Sequence, residues 1–274
     1  MSGLVLTLKE PPRQRLDLSP LLPERLQGLD AAAIGALELA GGNRGARVGD
    51  FFAVTPGDPS DLRIADGCDR LDCIGHGMTN GTITVTGDAG AYLGLAMKGG
   101  RLVVQGNAGS YAAAMLGGGV VEIGGNAGDY LGGAPAGEMK GMSGGLVVVR
   151  GNAGERAGDR TRRGTIIVEG SVGACAAARM IAGTLVVLGP ELGPYPGFGM
   201  KRGTLLHLAR PQRELPSFAD CGRHDLGFLG LLLRDLRGHS QRLDSLATRP
   251  TLVHRFVGDL ANGGMGELLF WPAG

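Results

Sequence analysis

The sequence predicts an all-β chain built as a parallel β-helix, and three observations predict it. Glycines that open short apolar stretches recur at Gly81, Gly100, Gly119, Gly145, Gly164, Gly183 and Gly203, at intervals of 19, 19, 26, 19, 19 and 20 residues. Two apolar columns run behind them at period two: Ile83, Leu102, Val121, Val147, Ile166, Leu185 and Leu205, then Val85, Val104, Ile123, Val149, Val168, Val187 and His207. A third column precedes each next opening glycine: Met97, Leu116, Met142, Thr161, Met180 and Met200. A fixed period of this size marks stacked repeats. Apolar residues at alternate positions mark a strand with one face turned inward. Stacking then sets each side chain over its counterpart in the previous coil, at the ~4.8 Å spacing of neighbouring strands. A coil of about 19 residues excludes the hexapeptide helix, whose coils come in multiples of six.

In chain order, residues 1–34 read as an N-terminal strand and lead-in, 35–210 as the parallel β-helix, and 211–274 as a C-terminal cap and packing segment. Weaker copies of the repeat open the second unit, at GALELAGGNRG (Gly35 to Gly45), where Gly42, Asn43 and Gly45 reproduce the turn, and at LRIADG (Leu62 to Gly67). The turns TGDAG, VQGNAG, GGNAG and RGNAG leave each strand sharply, which predicts positive φ at residues that tolerate it. Asn107, Asn126 and Asn152, stacked, predict a side-chain hydrogen-bond ladder from coil to coil. The long interval holds the insertion APAGEMKGMSG (Ala134 to Gly144), a loop on one edge. After Gly203 the chain turns Pro- and charge-rich in RPQRELPSFADCGRHDLG, and Leu226, Leu229, Leu233 and Leu236 then recur at helical spacing. Open coil ends expose apolar columns and strand edges, so a terminal cap with a short helix is required.

Composition bounds the function. Gly is 52 of 274 residues while 43% of the chain is hydrophobic, so glycine punctuates a packed fold. A net charge of +1 with 19% charged residues gives no global field for nucleic acid or a membrane surface. The N-terminus lacks a basic stretch followed by an apolar one, and no apolar run reaches the length of a membrane span, which predicts a cytoplasmic chain. Cys68, Cys73, Cys175 and Cys221 are too few for a disulfide framework, and Cys68, Cys73 and His76 fit no common zinc spacing. Glu122 and Glu169 face outward at different offsets about two coils apart, not as an acid and base pair. His76, His207, His224, His239 and His254 form no metal pair, and His207, on an inward column, reads as a satisfied core residue. The sequence predicts no catalytic residue, cofactor or metal on this chain.

Between the inward positions lies an outward one: Thr84, Val103, Glu122, Val148, Ile167, Val186 and Leu206. Its apolar members, Val103, Val148, Ile167, Val186 and Leu206, make a stripe that must be covered, either by the C-terminal segment or by another subunit. Just before the opening glycines stand Lys98, Arg162, Arg163, Lys201 and Arg202, a basic strip along one corner interrupted by Gly117, Ser143 and Ile181. On its own that strip reads as a solvated edge.

The coils from Gly81 to Gly203, with the tail RFVGDLANGGMGELLFW (Arg255 to Trp271), resemble the C subunit of formylmethanofuran dehydrogenase and of its bacterial counterpart, the formyltransferase/hydrolase complex. The repeat is also similar to the C-terminal glycine-motif domain of the glutamate synthase large subunit. The resemblance implies a right-handed β-helix that scaffolds a cytoplasmic one-carbon complex without holding a cofactor. Formyl transfer from tetrahydromethanopterin to a methanofuran-type carrier, and release of formate, then belong to partner chains. The alternatives are the C subunit of a molybdenum or tungsten formylmethanofuran dehydrogenase, and a glutamate synthase-like structural domain. The resemblance also implies a second reading of the basic strip, as a contact for the polyanionic glutamyl tail of such a carrier.

Overall fold

The computed structural model describes residues 2–39, 45–209, 215–246 and 251–271. The turn at Gly42 and Asn43, and the boundary between residues 210 and 211, lie outside the described residues. In chain order come β1 (Gly3–Leu8), β2 (Leu16–Asp17), α1 (Pro23–Leu26), α2 (Ala31–Ala36), α3 (Val48–Phe51), β3 (Phe52–Thr55), β4 (Asp58–Gly67) and β5 (Leu71–Asp72). The repeats supply β6 (Thr82–Gly87), β7 (Arg101–Val104), β8 (Val120–Ile123), β9 (Ser143–Val149), β10 (Arg163–Val168), β11 (Thr184–Val187) and β12 (Thr204–His207). The C-terminal part adds β13 (Ala219–Asp225), α4 (Gly227–Asp235), α5 (Gln241–Asp244), β14 (Leu252–Gly258), a 3₁₀ turn (Leu260–Asn262) and β15 (Gly266–Phe270).

The chain is mostly β, with one large mixed sheet of 13 strands in the order β13-β14-β15-β12-β11-β10-β9-β8-β7-β6-β4-β1-β3. From β1 and β4 through β12 to β15 every neighbour is parallel, and only the pairings at the two ends, β3 on β1 and the β13-β14-β15 meander, are antiparallel. Register follows the columns: Ile83 pairs with Leu102, Leu102 with Val121, and Ile166 with Leu185. All three inward columns are buried, with His207 the most accessible member at 2%.

Two further sets of bonds link the same repeats away from this sheet. Ala89, Ala108, Ala127, Ala153, Val172 and Leu192 form a chain of parallel bridges. On another side, Ala113 N donates to Leu93 O, Gly132 N to Ala112 O, and Ala177 N to Ala157 O. Each repeat thus touches its neighbours in three places.

The upstream copies part ways. LRIADG becomes β4, with Leu62 and Ile64 in register with Ile83 and Val85. The described residues of GALELAGGNRG yield no strand of the sheet: Gly35 and Ala36 close α2, which Asp30 caps by accepting from Ala33 N, and Glu38 makes one antiparallel bridge with Arg47. Alanine is the strongest helix former, and no inward column at period two opposes it there.

The turn glycines differ from the expectation of positive φ. Gly106, Gly109, Gly125, Gly128, Gly151 and Gly154 do not have it; among these turns only Gly87 does. They are small because the repeats crowd. A Cβ on Gly106 would lie 2.3 Å from Asp88 Oδ1, and one on Gly109 2.8 Å from Ala91 N. Positive φ falls instead on the opening glycines, from 80° at Gly145 to 101° at Gly203, and on non-glycine residues discussed below.

The asparagines form a ladder in which a side chain caps the backbone of the next repeat. Asp88 Oδ1 accepts from Asn107 N, Asn107 Oδ1 from Asn126 N, Asn126 Oδ1 from Asn152 N, and Asn152 Oδ1 from Ser171 N, at 2.7 to 2.8 Å.

The C-terminal segment does two separate things. β15 extends the parallel ladder past β12, pairing Leu205 with Leu268 and His207 with Phe270, so the last repeat is closed by strand rather than helix. The amphipathic α4 lies elsewhere: Leu229, Leu233 and Leu236 pack in one buried cluster with Val148, Ile167, Val186, Leu206 and Trp271, on the outward face of the sheet.

Candidate functional site

The surfaces on which this chain can act are set by what the repeat leaves outside. The outward stripe divides in two. Val148, Ile167, Val186 and Leu206 are fully buried under the C-terminal segment, whereas Val103 is only partly buried and lies outside that cluster. Polar bonds fasten the cover beside the apolar contact. Ser240 Oγ donates to Glu169 Oε1 at 2.7 Å, and Arg242 donates to the carbonyls of Glu169 and Leu188. Farther along, Asp259 accepts from Gly199 N, Ala261 N and Asn262 Nδ2 and ties the β14–β15 connection to the last repeat. Burial alone would raise the Asp259 pKa, but these donors, with Ser217, outweigh it and hold the carboxyl below its ordinary value.

The basic strip is exposed at Lys98, Arg162, Arg163, Lys201 and Arg202. The adjoining residues Met97, Thr161 and Met200 point inward, which fixes the strip on the outer corner. Lys201 Nζ donates to Asn262 O, so that lysine also braces the C-terminal turn.

The groups weighed for chemistry are engaged in structure. Glu122 pairs with Arg101 at 2.7 Å and Glu169 pairs with Arg150. His207 Nδ1 lies 2.7 Å from Ala209 O and 3.2 Å from Ala209 N, and Nε2 lies 3.0 Å from Gly189 O, so both ring nitrogens have backbone partners. All four cysteines are free thiols. Burial, with Asp17 and Asp72 nearby, pushes the Cys73 thiol up to about 12, which keeps it protonated at neutral pH and leaves it a poor nucleophile.

A feature outside those expectations is a small recess of about 280 Å³ against the insertion loop, walled by Tyr111, Tyr130, Pro135, Met139, Arg160 and Arg179. Tyr92, Tyr111 and Tyr130 stack with ring centroids 5.1 and 4.8 Å apart, and Arg156 lies over Tyr130. These residues occupy one column with left-handed backbone, φ between 57° and 62°. Beside it Asp159, fully buried, takes a two-point bond from Arg179 Nε and Nη2 at 2.9 and 2.6 Å. The 19-residue recurrence of Tyr in GAY, GSY and GDY is visible in the sequence; the buried pair is not, because Asp159 stands where other repeats carry Leu95, Ala114 or Ala178.

Against known proteins, the chain superposes on a chain of the formyltransferase/hydrolase complex FhcABCD from Methylorubrum extorquens, crystallised with methylofuran, with TM-score 0.91 and 40% sequence identity, over 98% of this chain and 100% of that one. The chain belongs to the C-subunit family of these complexes. The C subunit of the tungsten-containing formylmethanofuran dehydrogenase 2 of Methanococcus maripaludis is 35% identical over 95 residues, 34% of this chain and 35% of the relative. The C subunit of the Methylorubrum extorquens Fhc complex is 42% identical over 80 residues, 29% of this chain and 30% of the relative. The matched stretch therefore spans about a third of the length of these curated relatives. No family model matches the chain. The full-length superposition takes in the stacked repeats together with the C-terminal helices and β15, which are part of the same shared architecture.

Proposed function

We propose that this chain is a non-catalytic scaffold subunit of a cytoplasmic one-carbon complex that handles formyl groups on a methanofuran-type carrier. The observation that carries the reading is the full-length likeness, at 40% identity, to a chain of a formyltransferase/hydrolase complex solved with methylofuran. On this reading formyl transfer from tetrahydromethanopterin and release of formate take place on partner subunits. The chain contributes a rigid rod, a right-handed parallel β-helix whose three sets of inter-repeat bonds join each coil to the next. Its lead-in, stacked body and cap act as one support, with the body counted from β4. The cluster of Val148, Ile167, Val186 and Leu206 with α4 supports the C-terminal segment as the cover of the outward stripe, which leaves Val103 toward the uncovered end.

The presence of the tungsten enzyme among the relatives supports a second reading, membership of a formylmethanofuran dehydrogenase. Affinity purification of the tagged chain from its source separates them. The first reading expects co-purifying chains that release formate from the formyl carrier without an electron acceptor; the second expects formate turnover that needs one. A chain that purifies without partners overturns both.

Within this reading the strip of Lys98, Arg162, Arg163, Lys201 and Arg202 guides the glutamylated tail of the carrier by screened charge contacts. No helix among the described residues is long and apolar enough to cross a membrane. Changing the five residues together to Ser in the assembled complex raises the apparent KM for a long-tailed carrier, spares a short-tailed analogue, and loses this contrast at high salt. Equal kinetics on both carriers would leave the strip as a solvent-facing edge.

A further inference from the structure

We propose that the recess beside the insertion loop is a docking socket for an acidic side chain of a partner subunit. Three departures from an otherwise regular repeat meet there. The only long interval, 26 residues instead of 19, places its extra residues in the loop that forms one wall. The facing wall carries Arg160 and Arg179 in left-handed backbone, φ 54° and 52°, where the equivalent positions hold Ala96, Met115 and Gly199. Behind them Asp159 is buried completely in place of a small or apolar residue. The left-handed backbone itself belongs to the repeat, since Ala96 and Met115 adopt it at φ 51° and 55°; two long cationic side chains and a buried carboxylate at these positions are what stacking does not require, and the carboxylate is tolerated because Arg179 pairs with it. Insertions in repeat proteins fall characteristically on the binding face.

The arrangement fits an oxyanion. Asp159 holds Arg179 through Nε and Nη2 and so fixes the direction of the remaining amino group. Arg160 uses Nη1 on Glu138 O and Met139 Sδ and, among the described residues, has no hydrogen bond from Nε or Nη2. Tyr111 and Tyr130, rigid in their stack, add two phenol hydroxyls. The carboxylates on the other side of the balance are Asp159, already paired, Asp129, whose Oδ1 accepts from Glu155 N, and Glu138 on the exposed loop. A planar guanidinium with a free edge matches a carboxylate.

The surroundings match a protein partner more than a free metabolite. Met139, Tyr195 and Phe198 stand exposed at 67%, 70% and 52%. Tyr195 continues the Tyr92–Tyr130 column, and Phe198 O accepts from Arg179 N at 2.7 Å, so these groups lie along the same face. Tyr, Arg and Met line the recess itself, and Tyr195 and Phe198, which line a separate neighbouring cleft, extend the same face with the residue types of an interface centre. The partner is therefore a chain that presents Asp or Glu next to apolar residues.

This inference rests on the complex reading above, and the test separates the two. In the purified complex, a photo-crosslinking residue at Tyr195 is expected to join this chain to another subunit at a peptide containing Asp or Glu. Arg160→Glu is expected to weaken association at least tenfold by native mass spectrometry across a dilution series, and Tyr130→Phe, which keeps the stack, about threefold. Arg13→Ser, at an exposed residue of the lead-in, is expected to leave association unchanged. Crosslinks confined to the chain itself, or an intact complex indifferent to both socket variants, overturn the inference alone. A native chain that assembles with nothing overturns it together with the complex reading. A crosslinked complex from which glutarate displaces no partner supports the protein occupant; glutarate binding without any effect of Arg160→Glu on assembly overturns it in favour of a free acid.

Discussion

The two faces of the main sheet solve the same problem differently. On the inner face the repeat supplies its own packing: from Ile83 to Leu205 each repeat sets two strand residues against those of the next, with a third buried column that is methionine at Met97, Met142, Met180 and Met200. On the outer face the repeat supplies nothing. Its early repeats place Thr84, Val103 and Glu122 there, partly exposed, and its later repeats place Val148, Ile167, Val186 and Leu206, which are buried in one cluster with α4, α5 and Trp271 of the C-terminal segment. The inner face is therefore a property of periodicity and the outer one of a single non-repeated segment. A local change inside should propagate along the stack, whereas one outside should loosen the cover alone.

The largest expected effect is on the inner face. Val149→Asp puts an unpaired charge between Ile123 and Val168, costs several kcal/mol and prevents folding, seen as loss of soluble protein with a cooperative melt. Next comes the outer face. Ile167→Ala leaves a cavity under α4, is expected to cost about 2–4 kcal/mol, and makes residues 226–246 cleavable by protease before the repeats. If the whole chain becomes cleavable at once, the two faces are one cooperative unit and the comparison breaks.

Smaller effects sharpen the boundary. Asp259→Asn weakens the tie to Gly199 by about 1–3 kcal/mol at neutral pH. Its carboxyl is held below its ordinary value in the fold, so the stabilisation is present above the unfolded carboxylate pKa of about 3.9 and is lost as pH falls through the lower folded value. The parent and Asp259→Asn should accordingly converge in melting temperature on acidification, and a constant gap would mean that Asp259 is not the titrating tie. Smallest is Ser240→Ala, about 1–2 kcal/mol, from the lost bond to Glu169, whose remaining Arg150 contact keeps it paired, and the lost cap of α5, where Ser240 Oγ accepts from Leu243 N.

Legibility follows the same division. The inward columns, their register and the Asn ladder are readable because each position is repeated, so one side chain predicts its neighbour. The outward stripe is readable as a surface needing a cover, but not which segment covers it, because that depends on where a unique helix lands. The Gly-Asn-Ala-Gly glycines suggest turn geometry, whereas crowding between coils sets them; sequence records that no Cβ fits without saying why. At the weak copy that starts at Gly35, local helix propensity carries α2 through its first two residues, Gly35 and Ala36. The Asp159–Arg179 pair breaks the columns, and recurrence passes over the residues that do not recur.

Hydrogen exchange by mass spectrometry, on the chain alone and in its complex, tests the central claim that the chain completes its own outer face and offers its left-handed corner to partners. The account predicts no change on assembly in residues 146–149, 166–168 and 226–246, and strong added protection in residues 130–141 and 195–199. Added protection centred on α4 and α5, with none at the corner, would contradict it.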